Sequence, residues 1–158
     1  MDSASALLIL ATLMRAAHML AGGVWIGGSI VYLVVITPAL RLGKAAPEVS
    51  ARMGGLFRRL VNICIVTLLL SGVYLTFDRL SAMTVGVAYL VTLGVKIALA
   101  LVMFTLAALL AQEARRPARR RGRLWREAPR AILALGVVVF LLGATLMALF
   151  EVGLGLAR

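Results

Sequence analysis

Four long stretches of this 158-residue chain are almost free of charge, and they leave little choice of solvent. Ala16–Leu40 carries no Asp, Glu, Lys or Arg, and its one titratable imidazole is His18. Leu60–Phe77 is uncharged over 18 residues, Leu80–Gln112 is broken only by Lys96, and Ala131–Phe150 runs for 20 residues. A helix crosses the hydrocarbon layer in about 20 apolar residues. The pattern predicts an all-α, integral membrane four-helix up-down bundle, with residues 1–158 as a single transmembrane domain. Its helices are expected at roughly 6–37, 56–77, 84–113 and 129–151, joined by basic loops over 38–55 and 114–128. Composition agrees. At 63% hydrophobic residues and a mean hydropathy of +1.04, the chain exceeds what one soluble core of this size can hide.

Several chemistries are excluded at once. One Cys and one His allow neither an internal disulfide nor a tetrahedral His/Cys zinc site. Only Asp2, Glu48, Asp78, Glu113, Glu127 and Glu151 are acidic, too few and too scattered for a hydrolase of the soluble type. Ser71 has no second histidine to act as its base, so a Ser–His–Asp triad is not expected. A net charge of +11 would suggest nucleic acid on a soluble protein. Here the charges sit between apolar runs, so lipid headgroups are the expected partner and nucleic acid is not.

The basic residues also set a topology. Arg41, Lys44, Arg52, Arg58 and Arg59 precede the second span; eight arginines from Arg115 to Arg130 precede the fourth. With four spans these clusters share one side, and the positive-inside rule makes that side cytoplasmic. Both termini and the short Asp78–Met83 turn then face outward across a bacterial-type inner membrane. Met1-Asp2-Ser3 lacks a basic leader region, so no cleaved signal peptide is expected. Pro129 is expected at a helix start, where its missing N–H costs nothing.

Ionisable groups within hydrocarbon are the functional candidates. Arg15 and His18 stand three residues apart on the first helix and are neighbours on its surface. Lys96 lies in the third. Counting from Arg41 and from Arg115 places His18 and Lys96 roughly 28–35 Å above the inner basic boundary, in one outer layer. Asp78 and Glu151 close their helices on that side. The competing reading is that Arg15 and Lys96 snorkel to headgroups. His18 suits either an interhelical hydrogen bond or an axial bond to haem iron through a neutral imidazole nitrogen. Gly22 and Trp25 share its face. Gly22, Gly23, Gly27 and Gly28 allow a flat partner, or another helix, to approach closely. Met14, His18 and Met19 could instead hold copper, with Met103 on the Lys96 face. Asn62, Thr67, Ser71 and Tyr74 form a polar stripe on the second helix.

The stretch from His18 through Trp25 to Gly27-Gly28, followed by Tyr32-Leu33, resembles the first helix of the CopD-like superfamily. That group comprises the copper-resistance D membrane proteins and the HemJ-type protoporphyrinogen oxidases. Phe57-Arg58-Arg59-Leu60, Ser71-Gly72, Val95-Lys96 and Arg126-Glu127-Ala128-Pro129 follow in the matching order. After Tyr32-Leu33 the chain continues Val34-Val35-Ile36-Thr37-Pro38, unlike the basic, aromatic continuation of the HemJ-type proteins. The HemJ resemblance implies a haem-b redox protein. His18 would be the axial metal ligand and Lys96 a catalytic lysine. Arg15, Gly22, Trp25 and Lys96 would line the cofactor, a haem or porphyrin, and a quinone or other electron-transfer partner would complete the chemistry. The copper-resistance resemblance implies copper uptake or handling. A third expectation is a non-catalytic subunit of a larger respiratory or transport complex, or a homo-oligomer, in which another chain could supply a second axial ligand.

Overall fold

The computed structural model describes residues 2–44, 46–81, 86–113 and 123–153. The backbone there is helical almost throughout. Helix α1 (Ser3–Val31) passes through a single π-helical turn, Tyr32–Ile36, into the short α2 (Thr37–Leu42). Helix α3 is Pro47–Leu80, α4 is Val87–Glu113 and α5 is Arg123–Gly153. Four helical segments are long and apolar enough to cross a membrane: Ser5–Leu42, Pro47–Leu80, Val87–Glu113 and Glu127–Val152. The protein is all-α and multi-pass, with lipid as its solvent.

The chain divides into two compact units, Met1–Ala82 and Met83–Arg158, each built on a helical hairpin. In the first, α1 packs on α3. Arg15 meets Asp78, His18 meets Ser71 and Tyr32 stacks on Phe57, so partner numbers fall as those on α1 rise. The helices are therefore antiparallel. In the second, Tyr89 meets Phe150 and Lys96 meets Gly143, again antiparallel.

The seams between helices are inverted relative to a soluble core. Large apolar side chains such as Leu8, Leu20, Leu70 and Leu101 point outward, while Ala11, Ala21, Ser29, Cys64 and Ser71 are buried. Lipid tails solvate leucine as well as another helix does, so close packing of small residues decides the interface. The seam positions recur every seven residues. Along the first span they are Ala11, His18 and Trp25 of α1 and Tyr32 of the π turn; on α3 they are Phe57, Cys64, Ser71 and Asp78. On α4 they are Tyr89, Lys96 and Met103, facing Gly136, Gly143 and Phe150 of α5. A seven-residue repeat keeps one stripe against a partner at the shallow crossing angle of coiled-coil packing.

Several expected boundaries shift. The segment expected as a loop over 38–55 is mostly helix: α2 runs to Leu42 and α3 begins at Pro47. Apolar runs mark hydrocarbon depth, whereas a helix continues into the headgroup region wherever its residues permit. Pro47 takes a first-turn position, and Glu48 lies where the helix dipole favours an acid. At 34 residues α3 is about 51 Å long, well beyond the hydrocarbon thickness. Likewise α5 starts at Arg123, so Pro129 lies inside the helix instead of at its start. The basic run Arg115–Arg121 lies outside the described residues, as does part of the turn expected after Asp78.

The π turn has a local cause. Pro38 cannot donate to the carbonyl four residues back, and its ring presses on that group. The chain widens one turn earlier, and the Thr37 N–H bonds to the Tyr32 carbonyl instead. The Thr37 hydroxyl donates to the same carbonyl at 2.8 Å.

Candidate functional site

His18 sits in the α1–α3 seam, half-buried, with Nδ1 2.9 Å from the Ser71 hydroxyl. Ser71 is 1% exposed, and its Oγ donates to the Thr67 carbonyl at 2.5 Å. A hydroxyl has one proton. With Ser71 donating to Thr67, its oxygen is set to accept from His18; in the neutral ring that pairing corresponds to the tautomer with the proton on Nδ1 and the lone pair on Nε2. Metal-ligating histidines are held in just this way, the second ring nitrogen donating to a neighbouring acceptor. Gly72 lies beside the ring: a Cβ there would stand 3.4 Å from His18 Cε1, at ordinary van der Waals contact.

Ser71 stands twelve residues beyond Arg59 on α3, about 18 Å along the axis, and His18 shares that level.

Arg15 donates from Nη2 to Asp78 Oδ2 at 3.2 Å. The two side chains are 46% and 31% exposed, at the end of the hairpin opposite the basic cluster. Asp78 is thus the acidic partner, and Arg15 is already paired. Trp25 is buried one heptad along from His18, at the level of the buried Cys64. Gly22 is half-buried one turn after His18. Gly23 and Gly27 fall on the opposite face, where an added Cβ would meet nothing within 4 Å. Their spacing does not serve the α1–α3 seam.

Lys96 belongs to the second unit. Its Nζ lies 3.1 Å from where a Gly143 Cβ would stand, so the missing side chain makes room for the ammonium. Among the described residues Lys96 makes no hydrogen bond or ion pair. Glu151 forms none either.

Met19 is 69% exposed and points away from the seam. Met103 is buried at the level of Gly136 in the second unit. Among the described residues no three His, Cys, Asp or Glu side chains cluster as a metal site. The expected polar stripe on α3 is discontinuous: Asn62 is exposed, Thr67 bonds its own helix at Ile63, and Ser71 reaches across to His18.

Two antiparallel membrane hairpins, the first with a histidine–serine relay in its seam, define the class of this protein. No family model, curated relative or solved structure matches the chain.

Proposed function

We propose that this protein is a membrane haem-b redox protein in which His18 is an axial ligand. The supporting observation is the relay from His18 Nδ1 through Ser71 to the Thr67 carbonyl. It commits the ring to the tautomer whose Nε2 can bind a metal, and it fixes the ring's rotation. That donor chemistry fits haem iron, which a single protein imidazole can hold. When bound, the haem would supply one-electron transfer, the chemistry being the cofactor's own. The chain's residues do the rest. Ser71 holds the Nδ1 proton in place. Thr67 keeps Ser71 from turning its own proton toward the ring. The Asp78 carboxylate neutralises Arg15.

The HemJ branch of the resemblance would add a porphyrinogen or quinol as electron donor, whereas its copper-resistance branch would imply copper handling instead. The basic ends of both hairpins are assigned to the cytoplasm. The test is the visible spectrum of detergent-purified protein. A reducible Soret and α band, lost in His18→Ala, supports the proposal. A colourless protein with stoichiometric copper would replace it with copper handling. A colourless, metal-free protein that copurifies with a larger complex would replace it with a structural subunit.

A further inference from the structure

The α2–α3 corner carries a second polar site, remote from His18. A cavity of about 380 Å³, open on one side, is lined by Tyr32, Thr37, Leu40, Arg41, Lys44 and Ser50. Arg41 lies in the last turn of α2, and Lys44, beyond its end, takes a left-handed conformation at φ 47. Ser50 sits in the first turn of α3. The Thr37 hydroxyl is committed to the Tyr32 carbonyl. The Arg41 guanidinium, the Lys44 ammonium and the Tyr32 and Ser50 hydroxyls make no hydrogen bond or ion pair among the described residues. No carboxylate lines the cavity; Glu48, nearby on α3, is not part of its wall.

We infer that this cavity binds a phosphate group. Two cations supply charge, and two neutral hydroxyls supply further donors that can reach separate oxygens of a tetrahedral anion. Arg offers a planar fork and Lys a mobile point charge, a pairing suited to phosphate. Tyr32 is held in place by its neighbours. Its ring stacks on Phe57 at 4.4 Å, and its hydroxyl lies 3.3 Å from where a Gly54 Cβ would stand. The cavity opens where the first span, Ser5–Leu42, ends. An anionic lipid headgroup and a free phosphate both present this group there.

Two arms separate the sources. In the first, the full chain is released from nanodiscs of equal phosphatidylglycerol and phosphatidylcholine, and retained lipid is read by native mass spectrometry. In the second, inorganic phosphate is titrated calorimetrically into the protein in a neutral detergent. Retained phosphatidylglycerol assigns the site to lipid, and phosphate binding without lipid retention assigns it to a free anion. In whichever arm binds, R41Q/K44Q should weaken binding about tenfold or more. Ser50→Ala, which changes no charge, should weaken it about threefold. R52Q/R59Q removes two exposed charges elsewhere on α3 and should leave binding unchanged. The inference fails if neither arm detects binding, or if R52Q/R59Q loses as much as R41Q/K44Q.

Discussion

Ser71→Ala removes one oxygen from the middle of the first hairpin, and two losses follow. The first is structural. An interhelical polar bond in a membrane protein contributes about 0.6 kcal/mol on average and up to about 1.7. The second bond of Ser71, to Thr67, runs within its own helix, and that carbonyl keeps its helical partner, so little is added. The hairpin should lose about 0.6–1.7 kcal/mol. The second loss concerns the ligand. Removing the partner that orients a metal-binding imidazole typically lowers metal affinity about 10–100-fold. Haemin titrated into the apoprotein and followed at the Soret band measures this directly, beside SDS-induced unfolding for the structural term. Ser71→Thr retains the oxygen and should restore most of the affinity. If Ser71→Ala loses stability yet binds haemin as tightly as the parent, Ser71 packs the seam without orienting His18.

Other perturbations have smaller or opposite expected effects. Asp78→Asn should cost no more than about 1 kcal/mol, because the Arg15 pair is partly exposed, and unfolding in detergent would register it. Gly143→Ala should be nearly neutral, since the atom in its way is the mobile end of Lys96; Gly143→Leu should open the α4–α5 seam and lower thermal stability sharply. Lys44→Gly relieves a left-handed backbone and should raise stability by about 1 kcal/mol while weakening phosphate binding. In a Cys64→Ser background, Arg52→Cys should resist membrane-impermeant maleimide in intact cells; ready labelling from the periplasm would reverse the orientation.

Fold class was legible because hydrocarbon thickness imposes a length on every apolar run. Helix ends were not, because hydropathy reports depth and says nothing of where hydrogen bonding stops; Pro47 and Pro129 are tolerated at positions that hydropathy does not register. The candidate site was half legible. His18 and Lys96 stood out as ionisable groups in uncharged runs, and Asp78 was a recognisable partner for Arg15. Ser71 was seen as part of a stripe, but its bond to His18 was not. The signal was present in the seven-residue spacings His18–Trp25–Tyr32 and Cys64–Ser71–Asp78, which mark the two seams and place His18 opposite Ser71 once one pair is aligned. The basic cavity at Tyr32, Arg41 and Lys44 depends on the π turn and on the left-handed Lys44, neither of which periodicity announces.

His18 is the only histidine in the chain, so histidine labelled with ¹⁵N gives one ring to observe. In the neutral apoprotein, Nδ1 should appear protonated and Nε2 bare, the reverse of the preference of free histidine. Haemin should then shift or broaden the Nε2 resonance beyond detection while the Nδ1 proton stays in place, donated to Ser71. An apoprotein with the proton on Nε2 and a bare Nδ1, or an Nε2 resonance indifferent to haemin, would contradict the assignment of His18 as a haem ligand.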